Sequence, residues 1–232
     1  PNGVITLREA LGLALMHNPE LRAYSWETRA SEARRLQAGL WPNPELGVAV
    51  EDVGGTGERS GFGGAGTTLQ LGQLIELNGK RRKRTRAASL EKELAEWDYE
   101  AKRLDVLTGA AKSFIGVLAA QEQLALEEEL VRLSEQVLTA VSQRVETGKD
   151  SPIEKTKAEI ALASVRIERE KARGNLESAR KQLSAIWAGK SPTFEKVEGQ
   201  LDSVSAIPTG DQLADLIGQN PDISRWTTEI EQ

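Results

Sequence analysis

The apolar positions along the chain follow helical spacing, then strand spacing, then helical spacing again. In "TLREALGLALMHN" Leu7, Leu11, Ala14 and Leu15 share one helical face, with Thr6 placed as N-cap and Glu9 three residues on. Asn18-Pro19 ends this helix and starts another, because a residue before proline resists the helical region while proline suits a first turn. The second helix is predicted over residues 19–40, about 33 Å at 1.5 Å per residue. "LWPNPE" stops it with two prolines.

The period then drops to two. "ELGVAVEDV" alternates Leu46, Val48 and Val50 with Gly47, Ala49 and Glu51, and "TTLQLGQLIEL" alternates Leu69 and Leu71 with Thr68, Gln70 and Gly72. Joined by the glycine-rich "GGTGERSGFGGAG", these read as a hairpin. Strand length and the apolar versus small-or-polar alternation suit a membrane β-barrel. They also suit a soluble hairpin on a helical protein, and periodicity alone leaves both open.

From Gly79 to Thr147 there is no proline. Leu90, Leu94, Trp97, Ala101, Leu104, Thr108, Ala111, Ile115 and Leu118 keep a four–three alternation, resumed at Leu126, Leu130, Leu133, Val137 and Ala140 after a stutter at Glu122. Such a rod is about 100 Å long, beyond an ordinary globular helix, and needs helical neighbours. "RVETGKDSPIEKTKAE" turns the chain: Gly148 takes the left-handed position after the helix, Ser151 caps the next, Pro152 begins it and Glu154 completes a capping box. The return helix carries a seam at Ala158, Leu162, Val165, Arg169, Ala172, Leu176, Ala179, Leu183 and Ile186. A second stripe, Ile153, Ile160 and Ile167, predicts partners on two sides. "AGKSPTFEK" ends the helix.

Near the end the chain repeats itself. "QNPDI" at 219–223 echoes "HNPEL" at 17–21, and around it Leu213, Ile217, Ile223, Trp226 and Glu229 match Leu11, Leu15, Leu21, Tyr24 and Glu27. The pattern predicts a tandem duplication with its second copy opening at 208–232. The expected divisions are 1–43 for the short and ascending helices, 44–77 for the hairpin, 78–188 for the long helical hairpin (turn at 146–151), and 189–207 for a linker. The fold class is mainly α with a small β-hairpin and long antiparallel coiled-coil helices.

Composition narrows the chemistry. Among 232 residues only 4% are aromatic, and there is no Cys, so disulfides and thiolate metal sites are excluded. The net charge of −5 gives no overall pull toward nucleic acid. No apolar run is long enough for a transmembrane helix. The opening "PNGVITLREA" lacks the pattern of a signal peptide, so any export signal is expected to have been removed.

Lys80, Arg81, Arg82, Lys83, Arg84 and Arg86 form a basic run without interleaved aromatics. A nucleic-acid patch is therefore disfavoured against a basic collar facing lipid headgroups, neighbouring acids or a lumen. At a helix N-terminus the run opposes the macrodipole and calls for local compensation. The single His, His17, and single Met, Met16, supply no metal-ligand set, so no metal site is expected. Glu127, Glu128 and Glu129 read as a solvated face or as a lumen lining that favours cations. No nucleophile–base pair or phosphate loop is present; "GFGGAG" at 61–66 does not lead into a helix and reads as a loop. Neither an enzyme nor a cofactor is indicated.

The "TLREAL" helix with "NPEL", "QLIELNGKRRKRTRAA" after the hairpin and "RVETGKDSPIEKTKAEIALA" at the helical turn together resemble the TolC-like outer-membrane efflux proteins, most nearly their CzcC-type heavy-metal branch. The resemblance covers essentially the whole sequence. Members of that family carry two full repeats, against one repeat and an opening here.

The resemblance implies a homotrimeric α-barrel continuous with an outer-membrane β-barrel, with Leu69 and Leu71 facing lipid. It implies a passive exit duct for metal cations or small toxic compounds, in the outer membrane of a Gram-negative type bacterium with a periplasmic extension. The implied partners are a periplasmic adaptor, an inner-membrane pump and outer-membrane lipid, and not nucleic acid. Adaptor docking then falls to Arg144, Val145, Thr147, Gly148, Lys149 and Ser151, although Gly148 and Ser151 are also what folds the turn. The alternative is a periplasmic adaptor or other coiled-coil interaction protein without channel activity. An adaptor is expected to flank its helical hairpin with a lipoyl-like β domain, whereas this sequence places strands before the rod and a helical repeat after it.

Overall fold

The computed structural model describes residues 3–51, 53–54, 57, 65–202 and 208–232. The elements run β1 (Gly3–Thr6), α1 (Leu7–His17), α2 (Pro19–Ala38), β2 (Glu45–Glu51), β3 (Gly66–Gly72), α3 (Lys80–Glu146), α4 (Pro152–Ala185), β4 (Phe194–Glu198), α5 (Gly210–Gly218) and α6 (Pro221–Glu231). Residues 58–64, which hold most of the glycine-rich loop, and 203–207 of the expected linker lie outside the described residues. The described chain forms two compact units, Pro1–Ser25 with Asp98–Ile223 and Trp26–Trp97 with Ser224–Gln232.

The first unit holds the core. Ile5, Ala10, Phe114, Val117, Leu118, Leu183, Phe194 and Val197 form one buried cluster, flanked by Leu176, Ala179, Ile186 and Trp187. Ala14, Val106 and Ala110 form a second. The α4 seam packs as the heptad pattern predicts, every one of its nine positions buried or half-buried. Arg166 of α4 reaches Glu135 of α3 at 2.7 Å further along the helical pair.

On α3 the outcome differs. Its buried apolar positions are Ala88, Leu90, Val106, Ala110, Phe114, Val117, Leu118 and Val131, of which Leu90 and Leu118 belong to the expected stripe, whereas Leu104, Ile115, Leu126, Leu130, Leu133 and Val137 of that stripe are exposed. The helix carries two faces, and the one with more leucine is the face that this chain leaves uncovered. Ile153, Ile160 and Ile167 of α4 are likewise 57–63% exposed.

The expected linker is not featureless. Residues 194–198 form β4, which pairs in parallel with β1. A two-stranded parallel sheet is marginal without support, and here side chains supply it. Gln121 of α3 donates its amide to the Val197 carbonyl at 3.0 Å and accepts from the Val197 N–H at 2.7 Å. It meets the strand as a further strand would. Arg180 donates to the Phe194 carbonyl and lies over the Phe194 ring, 5.6 Å from its centroid.

Asn18 joins the short helices to this core. Its side-chain oxygen accepts from the Leu21 N–H at 2.9 Å, capping α2, while its amide donates to the Ile186 carbonyl at 2.7 Å, just past α4. Thr6 and Glu9 form a reciprocal capping box on α1. Residues 208–232 carry similar devices: the Thr209 N–H donates to Gln212 at 3.0 Å, and Asn220 accepts from the Asp222 N–H at 2.9 Å.

Replacing Asn18 by Ala removes a helix cap and leaves the Ile186 carbonyl unpaired. Together these should cost about 1–3 kcal/mol. The measurement is the urea midpoint, with an unchanged slope expected. Asn220→Ala, which removes only the cap, should cost less than about 1 kcal/mol.

Candidate functional site

Three regions concentrate the exposed chemistry: the α3–α4 turn, the strand hairpin and the basic start of α3.

The turn is a Schellman closure. Gly148 sits at φ +73°, its N–H bonds the Val145 carbonyl at 3.0 Å, and the Lys149 N–H bonds the Arg144 carbonyl at 2.9 Å. Arg144 then folds back onto Asp150 through Nε at 2.6 Å and an NH2 nitrogen at 3.1 Å. The hydrogen bonds from Arg144, and then its charge, hold the Asp150 carboxyl below the usual aspartate value. Thr147 donates its hydroxyl to the Gln143 and Arg144 carbonyls at 3.0 and 3.1 Å. Ser151 caps α4 through the Ile153 N–H at 3.4 Å. The expected capping box does not close, because Glu154 pairs with Lys157 at 2.8 Å.

Of the six tip residues, Arg144, Thr147, Gly148 and Ser151 are thus occupied in making the turn. Lys149 is exposed and Val145 half-buried, and neither side chain has such a duty.

In the hairpin β2 and β3 pair antiparallel from Glu45–Gly72 to Glu51–Gly66. Leu46 faces Leu71 and Val48 faces Leu69, so the register sets all four on one side. Gly47–Gln70 and Ala49–Thr68 occupy the other. Leu69 and Leu71 are 70% and 75% exposed, and Leu74, Ile75 and Leu77 continue the exposed apolar run toward α3. No helix of the described residues is long and apolar enough to cross a membrane.

Asn78 and Gly79, both left-handed at φ +58° and +68°, then turn the chain into α3. The "LNG" of the sequence motif is this turn. Arg84 ties the two arms of the hairpin to the helices, bonding Glu76 and, at 2.9 and 3.1 Å, the carbonyls of Ala38 and Leu40. Arg86 reaches Glu231 at 3.2 Å. Beside them an open cleft of about 490 Å³ is lined by residues that include Arg34, Leu40, Trp41, Asn43 and Arg84. Arg81 stacks on Trp41 at 4.6 Å from its centroid. Sequence reading passed over Trp41; its signal was a tryptophan at the junction of a helix and a strand.

His17 is exposed, and no group of three or more His, Cys, Asp or Glu among the described residues could hold a metal. Glu127 accepts from Gln123 at 2.6 Å, and Glu129 pairs with Arg132.

The profile of the family "Outer membrane efflux protein" matches residues 10–189. The cobalt-zinc-cadmium resistance protein CzcC of Cupriavidus metallidurans is 34% identical over 230 residues, covering 99% of this chain and 53% of that protein. This chain therefore spans about half the length of that relative. A Pseudomonas aeruginosa membrane protein structure superposes with a TM-score of 0.79 at 19% identity, over 96% of this chain and 54% of that one. The Campylobacter jejuni CmeC outer membrane channel gives 0.77 at 19%, over 97% and 50%.

The Arg144–Asp150 pair carries a pH signature. Because the Asp150 pKa is lowered on folding, its contribution is complete above the unfolded value near 4. It is lost as pH falls through the lower folded value. Amide protection at Lys149 and Asp150 should fall below about pH 4 in the wild type. Asp150→Asn should show weaker protection at neutral pH and little further loss on acidification.

Proposed function

The chain belongs to the outer membrane efflux protein family, and on that footing we propose that it forms part of a subunit of a passive exit duct for divalent metal cations. The observation that carries the substrate class is the 34% identity to CzcC across nearly all of this chain. Its hairpin contributes strands to the outer-membrane barrel, with Leu46, Val48, Leu69 and Leu71 toward lipid and Gly47, Ala49, Thr68 and Gln70 toward the lumen. Its long helices form wall segments of a periplasmic α-barrel in a homotrimer of complete subunits. The apolar faces left open on α3 and α4 are what such a wall requires of each helical pair. The described sheets are two two-stranded pairs, which do not make the β domain expected to flank an adaptor's hairpin.

A duct does not bind its cargo tightly, so the exposed carboxylates of α3 need only favour cations electrostatically. Docking to a periplasmic adaptor, itself coupled to an inner-membrane pump, takes place at the α3–α4 turn. Val145 and Lys149 are the residues there that are free to carry specificity.

In a strain that depends on the complete protein, Val145→Asp with Lys149→Asp should abolish resistance to cobalt, zinc and cadmium and weaken adaptor capture in pull-down. Yield, trimer formation and membrane insertion should be unchanged. Full resistance in the double variant would sink the docking assignment. Leu69→Arg should instead reduce insertion, by about 2–4 kcal/mol if the site is near the bilayer midplane, read as the folded fraction in lipid vesicles. Leu69→Arg inserting as well as wild type would remove the hairpin from the membrane.

A further inference from the structure

We propose that the first turn of α3 and the cleft beside Trp41 form a binding site for the headgroup phosphate of an anionic phospholipid. The lipid belongs to the periplasm-facing leaflet, since helices follow the hairpin on this side. The inference rests on the reading of β2 and β3 as membrane strands and adds to it a specific lipid contact.

Charge is the first argument. Lys80, Arg81, Arg82 and Lys83 are all exposed, and none forms an ion pair among the described residues. The first turn of α3 contains no acidic residue, so four cations crowd the end of a helix that already carries partial positive charge. The acids close by are engaged: Glu76 with Arg84, Glu27 with Arg34 and Glu231 with Arg86. Among the described residues no acid forms an ion pair with any of the four. An anion supplied from outside would.

Position is the second. The exposed apolar run ends at Leu77, and the first cation is Lys80. Three residues of chain span less than about 11 Å, so the cations lie at the edge of the apolar belt, at headgroup depth. On the other arm Trp41 precedes Glu45 by four positions, and tryptophan favours this boundary. Gln73 donates to the Pro42 carbonyl at 2.7 Å, and Thr85 and Arg84 bond the Ala38 carbonyl, which fixes the cleft between the two arms. Arg81 lies over the Trp41 ring, 4.6 Å from its centroid, and a stacked guanidinium is a group suited to phosphate recognition.

A nucleic-acid partner would have to reach the same cations beside an exposed strand hairpin, which a bilayer covers.

The test is native mass spectrometry of the complete, detergent-purified protein, stripped of lipid and then titrated with phosphatidylglycerol or with phosphatidylcholine of the same acyl chains. Wild type should retain phosphatidylglycerol in preference by about tenfold or more, from roughly a fivefold contribution per near-surface cation partly screened by salt. Lys80→Gln with Arg82→Gln and Lys83→Gln should lose most of that preference, and the three changes to the other basic residue should keep it. A Leu69→Cys label with a polarity-sensitive fluorophore reports hairpin insertion separately. Normal insertion with no phosphatidylglycerol preference, or with a preference that the Gln variant keeps, overturns the lipid site and leaves the hairpin reading standing. Failure of the label to shift in vesicles overturns both. Equal displacement by inorganic phosphate at the lipid's concentration would assign the cations to a free anion and overturn the proposal.

Discussion

A helix of 67 residues satisfies its own backbone but cannot hide both of its apolar faces in a chain of this size. That constraint governs the rest. The α4 helix covers one face of α3, through Phe114, Val117 and Leu118 against Leu176, Ala179 and Leu183. Leu104, Ile115, Leu126, Leu130, Leu133 and Val137 remain open. The same holds for α4, whose three isoleucines at seven-residue spacing also stay open. Each helix needs a neighbour on each side, and a row of such helices has no natural end until it closes on itself. A closed wall of helices answers the demand that the side chains impose.

The small elements serve this wall by fixing where helices begin and stop. Proline after asparagine, glycine in left-handed turns and side-chain caps occupy nearly every junction, from Thr6 and Asn18 to Gly148 and Ser151. The Gly189 position shows how tightly one junction is made. Ala188 takes the left-handed conformation at φ +59°, and a Cβ on Gly189 would stand 2.3 Å from the Ser184 hydroxyl oxygen. Chain direction is set here by steric exclusion, at the edge of the core that holds Leu183 and Trp187.

This division explains what the sequence disclosed. Helix lengths, the caps, the turn at Gly148 and the α4 seam depend on neighbours within a few positions, and periodicity or a capping residue reveals them. The β1–β4 pair was hidden because its support comes from far along the chain: Gln121 and Arg180 hold β4, and "TFEKVE" read alone shows no alternation. The packed face of α3 was only partly legible for a related reason. Leu90 and Leu118 belong to the predicted stripe, but Val106, Ala110 and Phe114 do not, and the exposed leucines on the other side drew the pattern away from them. Of the tip residues, spacing identified Gly148 and Ser151 as turn-makers but could not show that Thr147 would bond the end of α3 or that Arg144 would be taken up by Asp150.

The hairpin has a consequence for biogenesis. Leu46, Val48, Val50, Leu69 and Leu71 stand exposed on a ribbon that has only two strands among the described residues, so its outer edges have no strand partner there. A ribbon of this kind templates pairing with any similar strand it meets, including that of a sister chain. Correct association and misassociation therefore use the same edges. The outcome is decided by how quickly the edges find their intended neighbours.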